Sequence, residues 1–307
     1  MAVHATAEVT PAVHVEHFQM TFGSTKVVRD LSFDVARGET FGFLGSNGSG
    51  KTTTIRALLG LYEPSGGVLL VNGAKFRPGQ QGLGYLPEER GLYKKEQVLT
   101  TMVYFGQLKG MSAAAARAWS LDYLDRVGLA DKQRVRLDKL SGGEQQKIQL
   151  GVTVMNDPEL LILDEPTKGF DPVNRRLLMD IIEEQRRAGA TVIMVTHQMD
   201  EVERLCDRVL LLKDGVARAY GSVPEVQAQF GAASIVVRFH GELPASDGYR
   251  IASVDNGRAE LLLNPGTRPE DVLSYLAASG LSISEFTPRR RSMESIFVEV
   301  YGKEARL

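Results

Sequence analysis

Eight consecutive residues, Gly45-Ser46-Asn47-Gly48-Ser49-Gly50-Lys51-Thr52, fit the spacing G-x-x-x-x-G-K-[ST] and stand between an apolar run ending at Leu44 and a helical stretch over 53–59. Those residue types suit the binding of a phosphate chain. Glycines let the backbone fold its N–H groups inward around phosphate oxygens, and the start of the following helix adds the positive end of its dipole. In such a loop the lysine, Lys51, reaches the outer phosphates of a nucleoside triphosphate, and the hydroxyl of Thr52 holds Mg²⁺. Thr53 continues the cradle at the helix start. A second pair, Asp164-Glu165, ends the apolar run Leu160-Leu161-Ile162-Leu163. An isolated pair of acids is ordinarily solvated surface charge, and the four apolar residues before this one set it apart. Strand side chains alternate faces, so the two neighbours take different tasks. Asp164 suits the Mg²⁺ shell opposite Thr52, while Glu165 points across to polarise a water beside the outermost phosphate.

Strands, loops and helices must hold these groups in place. From residue 15 to about 222, short apolar runs alternate with helical patterns, and strands are expected at 39–44, 160–164, 191–196 and 209–213. The runs are apolar throughout rather than at every second residue, which marks a mainly parallel sheet covered by helices. The fold class is α/β. Between 89 and 156, helices expected over 97–110, 112–127 and 143–155 imply an inserted helical subdomain, with alanine-rich 112–119 a good helix former. After Gly221 the pattern restarts, with strands at 234–240, 258–263 and 282–286 and helices at 269–279 and 293–301. Thr267 and Glu270 have capping-box spacing, and Pro269 suits a first helical turn. The expected organisation is a tail over 1–13, a main domain over 14–222 and a small α+β domain over 232–307.

Composition narrows the class of partner. The 307 residues carry 36 basic and 38 acidic side chains, so bulk electrostatics give no reason to expect a nucleic-acid partner. The single cysteine, Cys206, cannot form an internal disulfide and reads as a small buried filler in a reducing compartment. No stretch approaches the ~20 apolar residues of a spanning helix. Met1 to Val13 lacks the basic start and apolar centre of a secretory signal. Arg289-Arg290-Arg291 could meet lipid headgroups or a partner, although three arginines are usually a solvated turn.

The segment Leu140-Ser141-Gly142-Gly143-Glu144-Gln145-Gln146-Lys147 closely resembles the signature motif of ABC-transporter ATPases and lies where that family has it, between the phosphate loop and the acidic strand. Physically it is a second serine-glycine helix start, hence a second anion site, although an ordinary N-cap at Ser141 would explain the tetrapeptide alone. The resemblance covers about 15–222, with six motifs in order. It implies a P-loop NTPase core of the RecA-like kind with an inserted helical subdomain, and ATP and Mg²⁺ as ligands. It also implies that two cassettes, identical or paralogous, stack head to tail. Ser141, Gly142 and Gly143 of one would then touch the outermost phosphate held by the loop of the other. Phe22, in Met20-Thr21-Phe22-Gly23, resembles the aromatic that stacks on adenine. Asp171, in Gly169-Phe170-Asp171-Pro172, resembles the D-loop aspartate that communicates across the dimer, and His197, after Val195-Thr196, resembles the switch histidine that contacts the outermost phosphate. Taken singly, such an aromatic or histidine is more often core or surface.

Three positions depart from the family pattern. Glu88, in Gly84-Tyr85-Leu86-Pro87-Glu88-Glu89, stands where glutamine is usual; a carboxylate can still ligate Mg²⁺, directly or through water, but adds negative charge beside the triphosphate. Glu144 stands where glutamine or a hydrophobic residue is frequent, and Lys168 where serine is usual before the D-loop. The segment from Tyr85 to Tyr93 and the ending Ser292-Met293-Glu294-Ser295-Ile296-Phe297 resemble ATPases of bacterial sodium-efflux and type-2 ABC exporters. The resemblance therefore implies an ATPase, peripheral on the cytoplasmic face of a membrane, that powers an integral membrane permease docked near 88–97. Two rivals are a soluble ABC ATPase acting on ribosomes or nucleic acid, which usually has two cassettes or a coiled-coil insertion, and a non-catalytic regulatory cassette.

Overall fold

The structure is a computed structural model that describes residues 10–77, 82–89, 91–230, 234–264, 266–289 and 291–302. Arg90, Arg290 and residues 1–9 of the expected tail lie outside the described residues. In chain order the first elements are β1 (Val13–Phe22), β2 (Thr25–Val35), β3 (Thr40–Leu44), α1 (Lys51–Leu58), β4 (Gly66–Val71) and β5 (Leu83–Leu86). The inserted helices follow: α2 (Val98–Leu108), α3 (Ala113–Arg126) and α4 (Gly142–Val154). Then come β6 (Leu160–Asp164), α5 (Pro172–Arg187), β7 (Thr191–Val195), α6 (Met199–Leu205), β8 (Arg208–Lys213) and β9 (Val216–Ser222). The last elements are α7 (Val223–Gln229), β10 (Ser234–His240), β11 (Tyr249–Asp255), β12 (Arg258–Leu263), α8 (Pro269–Ala278), β13 (Ser282–Arg289) and α9 (Met293–Tyr301).

The larger sheet runs β4-β1-β2-β9-β8-β3-β7-β6-β5. Its central strands pair in parallel, β8 with β3, β3 with β7, β7 with β6 and β6 with β5, as the continuous apolar runs require. One end departs from that expectation. β1 pairs antiparallel with both β2 and β4, and β2 buries only alternate residues such as Leu31, Phe33 and Val35 while the others meet solvent. The last two residues of the expected tail are also packed: Ala12 is buried and donates its N–H to Val35 O, and Val13 opens β1.

β6 shows why its sequence is apolar throughout. Leu160 and Ile162 join a core with Phe41, Phe43, Ile55 and Leu58, whereas Leu161 and Leu163 join a second core with Ile148, Leu150, Leu178 and Met179. The first core seats the phosphate loop and its helix; the second seats the inserted helices. Cys206 is a buried free thiol against β3, where a side chain on Gly42 would meet its Sγ at 3.1 Å.

The described residues divide into two compact units, one ending at Tyr220 and the next beginning at Gly221. In the second, four antiparallel strands in the order β11-β12-β10-β13 pack Ile235, Val237, Leu261 and Leu263 against Val272 and Leu276 of α8. β11 and α7 were not among the expected elements; β11 is an edge strand exposed along most of its length, so it lacks an apolar run. The capping box is shifted by one residue from Thr267 and Glu270. Arg268 is the N-cap, and the Asp271 carboxylate accepts from its backbone N–H at 3.3 Å and from its guanidinium. Pro269 then fills N1, where a missing N–H costs nothing. Arg291 donates to Phe230 O at 2.9 Å and pairs with Glu299, so it is engaged within this unit.

Ile162 is fully buried at the centre of the parallel sheet, with pairs on both sides. Ile162→Ala is expected to reduce folding stability by about 3 kcal/mol, read as a lower denaturant midpoint with an unchanged slope.

Candidate functional site

The loop between β3 and α1 is shaped by glycines that nothing else could replace. A side chain at Gly45 would lie 2.5 Å from Ser49 Oγ and 2.6 Å from Leu212 O, and Gly50 occupies the N-cap position at φ 110°. No side chain caps α1, and no acid stands in its first turn, so the positive end of its dipole is uncompensated there. Ser46, Asn47 and Gly48 bring the chain round; Ser49 N–H donates to Ser46 O at 3.2 Å, and the buried Ser49 hydroxyl has no hydrogen-bond partner. Thr52 and Thr53 follow on the first turn, both half-buried. Lys51 Nζ donates to Gly45 O at 2.7 Å and Ser46 O at 2.9 Å, across the mouth of the loop. Burial holds this lysine below its ordinary value, opposed by the charges of Glu165, Asp164 and Glu88.

Those three acids bear on Lys51 from two segments, one after β5 and one at the end of β6. Asp164 closes β6 on the face of Leu160 and Ile162, buried, and is pushed up to about 6, first by burial and then by Glu88 and Glu165. Glu165 departs from the alternation expected of a strand. Its φ is 49°, a left-handed conformation that a residue with a Cβ adopts at a cost of roughly 1–3 kcal/mol, and its N–H donates to Val195 O at 2.7 Å. The turn brings its carboxylate into the field of Lys51 beside Asp164 instead of sending it to the opposite face. His197, just beyond β7, donates from Nδ1 to Glu165 Oε1 at 2.8 Å, while Glu165 Oε2 is buried without a partner. That hydrogen bond raises the imidazole above its ordinary 6.5, with burial opposing. Glu88, two residues past β5, accepts from Lys168 Nζ at 2.6 Å.

The remaining sequence-derived positions divide. Phe22 ends β1 half exposed, its ring edge-on to Tyr62 at 5.4 Å, so an aromatic surface is presented rather than buried. Ser141, Gly142 and Gly143 open α4 at a place distinct from the phosphate loop. There Ser141 and Glu144 form a capping box: Ser141 N–H donates to Glu144 Oε2 at 2.7 Å, and Glu144 N–H to Ser141 Oγ at 3.3 Å. The departure at Glu144 thus has a structural reason. Asp171 is the N-cap of α5, accepting from Val173 and Asn174 N–H at 2.9 and 3.0 Å.

Sequence reading passed over the polar face of α4. Gln149 Nε2 donates to Glu89 O at 3.2 Å and Pro87 O at 3.4 Å, Thr153 Oγ1 to Tyr85 O at 3.3 Å, and Gln146 Nε2 to Pro166 O at 3.5 Å. One helix therefore grips both the strand leading to Glu88 and the turn after Glu165. The spacing 146, 149, 153 of hydrogen-bonding side chains on a buried helix was the available signal. Tyr62, which accepts from Arg56 and faces Phe22, carried no signal.

The residues present fit a triphosphate with a magnesium ion. An uncapped helix start, a glycine cradle and a buried lysine suit a polyanion. Among the described residues no three or more His, Cys, Asp or Glu gather as a metal-holding group. Magnesium does not need such a cage, because one or two carboxylates with a hydroxyl, waters and substrate phosphates complete its shell.

Comparison with known proteins identifies the family of the chain. Residues 28–168 match the family described as ABC transporter, and residues 221–301 match the family described as ATP-binding protein DrrA1-3-like, C-terminal domain. An uncharacterized ABC transporter ATP-binding protein of Methanocaldococcus jannaschii is 46% identical over 217 residues, covering 70% of this chain and 79% of its own. The Nod factor export ATP-binding protein I of Burkholderia lata is 32% identical over 299 residues, covering 95% and 97%. A solved ATP binding subunit of an ABC transporter superposes with a TM-score of 0.67 at 29% identity, covering 72% of this chain and 94% of that one.

The Glu165–His197 contact has a measurable sign. Because it raises the folded-state value of the imidazole above 6.5, its contribution to stability is complete below pH 6.5 and is lost as pH rises through the raised value. An NMR titration of His197 in the nucleotide-free protein is expected to give a midpoint above 6.5, and Glu165→Gln to lower it.

Proposed function

The chain belongs to the ATP-binding subunits of ABC transporters, and from that membership we propose that it hydrolyses MgATP to power an exporter permease. The observation that carries the reading is the convergence of Lys51, Asp164, Glu165 and His197 at the start of an uncapped helix. The N–H groups of the loop and the ammonium of Lys51 hold the phosphate chain, and Phe22 stacks on the base. Asp164, Thr52 and Glu88 would hold a magnesium ion, which would supply positive charge to neutralise the β- and γ-phosphates. Glu165 is the base. It takes a proton from water as the water oxygen bonds to the γ-phosphorus, the bond to the β-phosphate oxygen breaks, and ADP and inorganic phosphate leave. His197 orients the Glu165 carboxylate through Oε1 and contacts the γ-phosphate.

A second copy, or a paralogue, completes the site by presenting Ser141, Gly142 and Gly143 to the outermost phosphate, with Asp171 at the same boundary. ATP that touches both copies stabilises the closed pair and, once hydrolysed, no longer does, which shifts an attached membrane subunit between conformations. α4 supports this coupling, because the helix that opens with Ser141 also holds the backbone around Glu88 through Gln149. Similarity along nearly the whole chain to a Nod factor export protein supports export as the direction and the cytoplasmic membrane face as the location. Among the described residues no helix is long and apolar enough to cross a membrane, so the conduit is assigned to the permease.

Two variants test the chemistry. Glu165→Gln is expected to keep ATP binding, lower turnover about a hundredfold or more and accumulate an ATP-bound dimer on size exclusion; normal turnover would remove Glu165 from its role. Lys51→Ala is expected to abolish tight ATP binding, and unchanged affinity would defeat the phosphate-loop reading. Purification from a detergent extract is expected to bring down a polytopic membrane protein; ribosomal or DNA fragments instead would overturn the transporter assignment.

A further inference from the structure

We infer that Lys168 is a positioning residue of the nucleotide site, its ammonium holding and neutralising the Glu88 carboxylate so that three acids can face a triphosphate. This rests on the ATP-binding reading above.

The two residues are 80 positions apart and meet at 2.6 Å, Lys168 Nζ to Glu88 Oε1. Both backbones are fixed independently of that contact. Lys168 N–H donates to Glu165 O at 3.1 Å in the turn after β6, and the carbonyls on either side of Glu88 accept from Gln149. The ammonium lies in the field of Glu165 and Asp164 as well as Glu88, and His197 feels it in turn. It is therefore part of the electrostatics of the site rather than a distant surface charge. Three carboxylates, Glu88, Asp164 and Glu165, bear on Lys51. A triphosphate arriving there meets one more negative charge than Asp164 and Glu165 alone would supply, and Lys168 offsets it.

A structural explanation of the pair is weak. The two side chains are 60% and 45% exposed, and ion pairs that open to water contribute little to folding. Both positions also depart from the residues usual in the family, serine and glutamine, and the fold joins the two departures in one contact.

The test is a double-mutant cycle on the full chain, read as equilibrium binding of a fluorescent ATP analogue with EDTA, beside the thermal midpoint of each variant. Lys168→Ser is expected to weaken metal-free ATP binding about tenfold at low salt, less at high salt. Glu88→Gln alone, which removes a negative charge and leaves the ammonium, strengthens it, Glu88→Gln with Lys168→Ser returns to within about twofold of the parent, and Lys168→Arg keeps it; thermal midpoints stay together across the set. Parent-like binding by Lys168→Ser overturns the inference. So does a double variant as weak as the single one, or a loss that follows a fall in thermal midpoint. The parent and Lys51→Ala separate the two readings. A parent that binds no ATP sinks both, whereas a parent that binds it, a Lys51→Ala that does not, and an unaffected Lys168→Ser sink only the role of Lys168.

Discussion

The structure is governed by one electrostatic conflict: three carboxylates stand in the field of one buried lysine at the start of an uncapped helix. Asp164, Glu165 and Glu88 bear on one lysine, and Asp164 is buried deeply enough to be pushed up to about 6. Placing so much negative charge in partial burial is unfavourable unless positive groups face it. The fold answers with an uncapped helix start, with Lys51 anchored by two loop carbonyls, and with glycines at Gly45 and Gly50 where a side chain would clash or be strained. Each of these depends on β3 delivering the loop from the middle of a sheet buried on both faces.

Burial on both faces also explains the rigidity of the acidic side. β6 is clamped between β5 and β7, and its residues feed two cores in alternation, so Asp164 is held where the loop can use it. Glu165 is where the strand's regularity is broken, at φ 49° and pinned by Val195 O. The strained turn puts one carboxylate oxygen on His197 and leaves the other buried without a partner.

Distance is bridged by α4. Its first turn is a self-sufficient capping box, and its later turns place Gln146, Gln149 and Thr153 on the backbone of the turn after Glu165 and of the segment leading to Glu88. A displacement of this helix is bound to be felt at both, because hydrogen bonds to buried carbonyls are costly to abandon. The second unit, beginning at Gly221, has its own antiparallel sheet and core.

The sequence by itself determined the family motifs and the parallel core. The phosphate loop is contiguous in the chain, and so are the acidic strand and the Ser141 helix start; their meaning lies in short spacings and in runs apolar throughout, which a reader can see. Less was legible where a strand has one wet face, as with β2 and β11, since alternation over a few residues is a weak signal. Only the tertiary structure decided that Glu165 turns back toward Asp164, that the buried glutamines of α4 hold the segment around Glu88, and that Glu88 meets Lys168 across 80 residues of chain. Those are contacts between side chains and partners far apart in sequence. Linear spacing carries no record of them, because they are fixed by the packing of sheet and helices and not by the local preferences of the backbone.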